Sequence, residues 1–428
     1  MALRLNVRKL RWFIVVWITL STVLNLLCRQ GLYLLAPVLE RPDQLNLSAA
    51  SYAKVVSIFA LAYAVMYTVG GRITDWVGER IGLALFVSWW SLWTALTSLV
   101  HSVFGLGAVQ FMAGLGEPGN YPAGLRAMTR WFSEAERGVP IAIFSCGSAL
   151  GNILAVPVVT WIALTFGASV NPNWRATFVV MGVLGFLWTA VWLGIDQSNE
   201  KISGGDGKPR GTTHEQWPKA AEGSPSRWRD LLKNRNVLGL VMARLVSDPV
   251  WWFLIAFTPQ YLASQRHFSL EETARYLWIP YLTGIAGGIL GGYASDAFIR
   301  RGSRAAQARL RVLYISAAFA PLGIFISRVP SAGMAIALIA AMALVVYSWF
   351  INTAAIIPDV LSKRDVGTVL GLMGTAGSLG GFLFIRMVGF LLTHYSYTIV
   401  FLLAGSMHVL AALILWRTMK LQPASGVA

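Results

Sequence analysis

Twelve apolar stretches, each near the roughly 20 residues needed to cross a bilayer as a helix, follow one another along this 428-residue chain. They fall near residues 12–36, 52–71, 81–100, 104–126, 138–166, 174–195, 236–263, 273–298, 310–327, 332–357, 366–392 and 396–416. In hydrocarbon every backbone N–H and C=O must find an internal partner, so such stretches become helices. The expectation is an all-α membrane protein with twelve transmembrane helices. Composition agrees: 56% of residues are hydrophobic and 13% charged, whereas a soluble domain carries about 25% charged residues.

The net charge of +16 would suggest nucleic acid if it covered a soluble surface. Here the basic residues gather in alternate loops: the N-terminus, Arg72 and Arg80, Arg126 to Arg137, the 197–235 connection, Arg300 to Arg311, Lys363 and Arg364, and Arg417 with Lys420. The positive-inside rule places those loops and both termini in the cytoplasm of a plasma (inner) membrane protein. The lipid bilayer, not nucleic acid, is the expected large partner. Arg4, Arg8, Lys9 and Arg11 precede the first apolar run as in a signal peptide, but the run is too long and lacks a small-residue cleavage site. It reads as an uncleaved first span. Cys28 and Cys146 both lie inside apolar segments, so no disulfide framework is indicated.

Gln197 to Arg235, containing SGGDGKPRG and EGSPS, is a flexible linker by composition. It divides the chain into an N-terminal six-helix bundle (1–196), a cytoplasmic linker (197–235) and a C-terminal six-helix bundle (236–428). An internal repeat supports the division. GGRITDWVGER at Gly70–Arg80 is echoed by GGYASDAFIRRG at Gly291–Gly302, aligning Asp75 with Asp296, and GSALG at Gly147–Gly151 is echoed by GSLG at Gly377–Gly380. Parallel repeats of this kind build the halves of many secondary transporters.

Within the fourth span, Glu117 is followed by Pro118, Gly119, Pro122 and Gly124. A carboxylate in hydrocarbon persists mainly where it meets a cavity or a polar partner, and helix breakers at that depth need freed backbone groups to be satisfied by protein. Arg29, well inside the first span, poses the same question. One reading is capture of a substrate carboxylate, which guanidinium geometry suits; the other is a structural pair with a helix-end carbonyl or with Glu117. Glu117 likewise reads as a proton carrier or as a glutamate fixed at the Pro118 kink. Arg244 and Asp248, four residues apart, can pair on one helix face or contact substrate.

The Gly-x-x-x-Asp loops between spans 2 and 3 and between 8 and 9 resemble the major facilitator superfamily. The sharper similarity is to its anion:cation symporter family and the hexuronate-transporter branch. It rests on TVLNLLCRQGLYLLAPVL in span 1, GEPGNYPAGLRAMTRWFSEAERG around span 4, and LKNRNVLGLVMARLVSDPVWWFLIAFTPQYL into span 7. The resemblance covers nearly the whole chain. It implies two pseudo-symmetric bundles of the major facilitator fold, working as a monomer, that move organic acid anions together with protons by alternating access. It further implies that Arg29 pairs with the substrate carboxylate, that Tyr63 faces the cavity, that Glu117 couples protons, and that Arg244 and Asp248 correspond to the R-x-x-x-D of span 7.

Departures from that pattern narrow the expectation. Cys28 stands where many members have aspartate, Gln110 where a span-4 arginine is usual, and Gln260 where a basic residue is common. With aspartate absent, one proton per substrate through Glu117 is expected. Arg386, in span 11, is proposed to replace the missing span-4 arginine, with snorkelling to the membrane surface as the alternative. Trp251 is a candidate for stacking on a sugar face, and Asn120 for hydrogen bonding to hydroxyls. Asp75 with Arg80, and Asp296 with Arg300, are expected to act as cytoplasmic gate contacts. No metal-ligand spacing, Walker sequence or Ser/His/Asp arrangement is evident, so neither an enzyme, a cofactor nor a metal is expected. The expected function is proton-coupled import of a small organic anion such as a hexuronate. The rivals are an exporter or antiporter of another metabolite or drug, and a non-transporting membrane sensor on the same scaffold.

Overall fold

The computed structural model describes residues 7–132, 136–195, 228–362 and 365–420. Most of the proposed linker therefore lies outside the described residues. Every regular element among the described residues is helical. Nine helices among them are long and apolar enough to cross a membrane. The chain divides into two compact units, Met1–Gln216 with Ala263–Trp278, and Trp217–Leu262 with Ile279–Ala428.

In the first unit, α1 (Val7–Leu39) is followed by α2 (Ala49–Thr97), which holds the second and third expected spans in one element. Gly78, with φ +79° and ψ 164°, breaks α2 between them; only glycine adopts that left-handed backbone without a Cβ clash. Span 4 is also interrupted. It comprises α3 (Val103–Gly116), a 3-10 turn at Glu117–Gly119, and α4 (Asn120–Trp131). The cause is local, because Pro118 cannot supply the N–H that an α-helix requires at that position. The turn fits closely against α2: a Cβ on Gly119 would lie 2.4 Å from the Phe86 ring. The helices α5 (Gly138–Thr165) and α6 (Trp174–Gly194) complete the set. The short α9 (Leu270–Tyr276) also belongs to this unit, its Glu271 accepting a 2.5 Å hydrogen bond from the Ser169 hydroxyl.

The second unit contains α7 (Trp228–Lys233), most of α8 (Arg235–Arg266), α10 (Trp278–Arg300), α11 (Ala305–Phe319) with a 3-10 extension to Phe325, α12 (Ala332–Ala355), α13 (Ile357–Val360), α14 (Val366–His394) and α15 (Tyr397–Thr418). Pro321 and Pro358 mark where span 9 tightens and span 10 ends. A buried cluster of Val237, Leu240, Leu313, Trp349, Met373 and Leu415 ties α8, α11, α12, α14 and α15 together.

The GSALG and GSLG echoes occupy matching places in the packing. A Cβ on Gly151 of α5 would lie 2.7 Å from the Leu26 Cβ of α1, and one on Gly380 of α14 would lie 2.0 Å from the Leu245 carbonyl oxygen of α8. Each repeat thus lets the fifth helix of a half approach the first at backbone distance. Small residues serve this purpose in membranes, where packing rather than water drives association.

Candidate functional site

The break in span 4 positions Glu117, and α1 brings Arg29 to it. Arg29 Nε donates to Glu117 Oε2 at 2.8 Å and Nη2 donates to the same oxygen at 2.6 Å. Only 10% of the arginine side chain and 2% of the glutamate side chain are accessible. Two ions so enclosed offset each other's desolvation only through close geometry. The guanidinium also lies 4.7 Å from the Tyr63 ring centroid and 5.5 Å from that of Phe59, both on α2. A cation over aromatic faces gains further from the ring quadrupoles. The structure therefore joins three of the residues singled out in the sequence: Arg29, Tyr63 and Glu117.

Asn120, one turn beyond Glu117, is buried and committed to α1. Its Oδ1 accepts from Ser21 Oγ at 2.9 Å, and its Nδ2 donates to Thr22 Oγ1 at 3.0 Å. This braces α4 on α1, through partners that the sequence reading of Asn120 as a hydrogen-bonding group for hydroxyls did not name. Beside it, Gln30 Nε2 donates to Asn152 Oδ1 at 2.7 Å, fastening α1 to α5.

In the second unit, Arg244 and Asp248 of α8 pair at 2.9 Å, as their spacing allows. Arg244 Nη1 also donates to Thr353 Oγ1 at 3.4 Å, and its guanidinium lies 4.0 Å from the Phe350 ring centroid. Ser247 links this pair to α12: it accepts from the Trp349 indole at 2.9 Å and donates to Asp248 Oδ1 at 3.4 Å. Trp251 is half-buried, edge-on to Tyr347 and Tyr281 with centroids 4.8 and 6.3 Å away. Arg386 is exposed on the α14 face that carries Leu379, Leu383 and Phe390, without an ion-pair partner among the described residues.

The expected gate contacts form differently. Asp75 accepts from Arg126 Nη1 at 2.8 Å, and no ion pair joins it to Arg80 among the described residues. The Gly78 turn carries Arg80 toward the end of α6, where Nη2 donates to the carbonyls of Leu193 (2.8 Å) and Ile195 (3.2 Å). Arginine there satisfies carbonyls that a helix C-terminus leaves open. Likewise Arg300 lies over the Tyr293 ring, 5.2 Å from its centroid, and no ion pair joins it to Asp296 among the described residues. The sequence reading missed Glu79, which is nearly enclosed and gathers both Arg126 (3.4 Å) and Arg130. It also missed Arg309, which pairs with Asp359 at 2.7 Å and reaches Ser295 at 3.2 Å. In both units the basic partner comes from beyond the loop motif, so local spacing carried no signal for it.

A family model described as Major Facilitator Superfamily matches residues 18–385. The hexuronate transporter of Escherichia coli (strain K12) is 28% identical over 439 residues, spanning 99% of this chain and 97% of that protein. The galacturonate transporter of Dickeya chrysanthemi is 30% identical over 296 residues, 68% of this chain and 84% of its own length. Among solved structures, a bacterial homologue of the human lysosomal transporter Spinster, inward-facing and unoccupied, superposes with a TM-score of 0.74 over 97% of this chain and 99% of that one, at 20% identity. A mutant form of the nucleoside transporter NupG superposes with a TM-score of 0.70 over 95% of this chain and 100% of its own, at 13% identity. With an all-helical fold, membrane-length apolar helices and these relatives, the protein is a multi-pass membrane transporter rather than an enzyme, and the chain belongs to the major facilitator superfamily.

Proposed function

We propose that the chain is a proton-coupled importer of a small organic anion, a hexuronate or related sugar acid, operating by alternating access. The observation that carries this reading is the enclosed Arg29–Glu117 pair beside Tyr63. The guanidinium edge formed by Nε and Nη2 is the bidentate face that suits a carboxylate, and Glu117 already occupies it. An incoming carboxylate must compete for that edge. Once displaced, Glu117 would be an unpaired charge in the membrane core, and protonation removes that cost. Anion binding and proton uptake thus favour each other, and the linkage is reciprocal.

The energetics suit import. Carrying one negative charge into an inside-negative cell costs about 2.3 kcal/mol per 100 mV. One accompanying proton cancels that charge and adds the pH gradient. The sugar-acid class is supported by the relatives named as hexuronate and galacturonate transporters. In this reading Tyr63, Arg244, Trp251 and Arg386 also contact substrate. The ion pairs of Asp75 and Glu79 with Arg126 and Arg130 gate the cytoplasmic side. The functional halves are 1–196 and 236–428, joined by the 197–235 linker, with both termini in the cytoplasm of the inner membrane and the monomer as the working unit.

Uptake by proteoliposomes carrying an imposed pH gradient tests the proposal. Accumulation of galacturonate driven by acid outside, without net current, is the expected result. Uptake that ignores the gradient would remove the proton coupling, substrate-driven efflux of another metabolite would make the protein an exporter, and binding without flux would make it a sensor.

A further inference from the structure

The face of α1 that carries Arg29 also carries two buried side chains, each with a polar atom that lacks a hydrogen-bond partner among the described residues. Asn25 lies four residues before Arg29 and Tyr33 four residues after it; they are 4% and 1% exposed. The Asn25 Nδ2 and Tyr33 Oη atoms have no hydrogen-bond partner among the described residues. At 3.6 residues per turn both sit within about 40° of Arg29 around the helix, each about 6 Å along the axis. Among the neighbouring polar groups of α1, Ser21 and Thr22 hold Asn120 and Gln30 Nε2 holds Asn152, while Gln30 Oε1, beside Arg29, is a further buried acceptor without a partner among the described residues. A donor left unsatisfied in the membrane core is costly, and each such group calls for an explanation.

We infer that Asn25 and Tyr33 are the hydroxyl-reading residues of the substrate site, one turn to either side of the guanidinium. The inference rests on the proposed function and makes its substrate class narrower. A six-carbon acid held at Arg29 by its carboxylate extends its hydroxyls over a distance comparable to one helical turn. Asn25 Nδ2 donates to a hydroxyl oxygen. The Tyr33 phenol, able to donate or accept, takes a hydroxyl in either sense. A site built with such groups discriminates against an acid of the same shape without hydroxyls, because that acid leaves the groups unpaired. Both positions therefore determine specificity, while Arg29 sets affinity for any carboxylate.

Calorimetric titration of the full-length purified protein with galacturonate and with cyclohexanecarboxylate, a six-membered-ring acid without hydroxyls, separates the possibilities. The wild type should prefer galacturonate. Tyr33→Phe and Asn25→Leu should each weaken galacturonate roughly tenfold, the effect of one lost hydrogen bond, and leave cyclohexanecarboxylate unchanged. Tyr33→Phe keeps the ring and its packing, so it remains informative if Asn25→Leu fails to fold. Equal weakening of both ligands would show a packing role and overturn the inference, as would wild-type preference retained in both variants. A wild type with no preference for galacturonate would remove the sugar-acid reading itself and this inference with it.

Discussion

Gly377 of α14 leaves room for Asp248 of α8: a Cβ at that glycine would lie 2.0 Å from the aspartate Oδ2. The carboxylate that pairs with Arg244 is thus held partly by the absence of a side chain on the facing helix. Gly377→Ala should displace Asp248 and cost about 1–3 kcal/mol, the usual penalty of overpacking. Gly371, on the same helix, has open space around it, and Gly371→Ala should leave stability unchanged or slightly raise it. Unfolding temperatures of the two variants in one detergent check this; equal values would mean that α8 and α14 do not approach so closely.

The Arg29–Glu117 pair makes a prediction about stability that does not depend on transport. Arg29→Ala strands an enclosed carboxylate and should cost about 3–5 kcal/mol. Glu117→Gln in the same background removes the stranded charge, so the double variant should be more stable than Arg29→Ala alone. A double-mutant cycle in thermal unfolding measures the coupling. Additive effects would show that the two residues are not partners.

Glu79 and Asp75 both bind arginines near the Gly78 turn, but in different surroundings. The Asp75 side chain is 72% accessible and that of Glu79 only 6%. Exposed ion pairs are worth about 0–1 kcal/mol, whereas breaking an enclosed one costs about 3–5 kcal/mol. Glu79→Gln should therefore destabilise the protein several-fold more than Asp75→Asn. It should also be less sensitive to salt, because buried charges escape screening. Melting curves at low and high ionic strength give both comparisons.

Much of this was legible in the sequence, and what was missed has physical causes. Apolar length set the spans, since hydrocarbon leaves the backbone little choice, and Pro118 announced the break in span 4. The glycine echoes showed where helices approach, because only small residues permit it. The partners of the loop charges were not legible. Asp75 meets Arg126 across 51 positions, and a long side chain at a loop finds whichever carbonyl or carboxylate the turn presents. Gly78 determined that outcome for Arg80, through a backbone angle that the letters WVGER do not specify. The partners of Asn120 were not legible for a related reason. The residue type was right for hydrogen bonding, but Ser21 and Thr22 on α1 were its partners, and their register against α4 exists only in the folded unit.

Arg386 offers a test of a charge supplied from outside the expected pattern. Its guanidinium is exposed on α14, and Gln110 occupies the span-4 place where an arginine is usual in the family it resembles. If positive charge is what Arg386 contributes, Arg386→Ala should reduce galacturonate uptake several-fold while Arg386→Lys keeps most of it. Loss of bidentate geometry alone would instead make both variants poor. Uptake equal to wild type in both would leave the residue with no part in transport.

The sharpest test of coupling separates exchange from accumulation. Exchange of galacturonate across the bilayer requires only that the anion bind, with the Glu117 side chain neutral, and that the site change sides, whereas accumulation against a gradient requires a proton to be taken up and released in every cycle. Glu117→Gln keeps the size of the side chain and a hydrogen-bonding carbonyl for Arg29, but it has no proton to release. It should therefore retain exchange between preloaded proteoliposomes and lose accumulation driven by acid outside. Its exchange rate should also become flat with pH, while the wild-type rate falls as pH rises and the protonated carboxyl becomes scarce. Accumulation preserved in Glu117→Gln would place the coupling proton on another group.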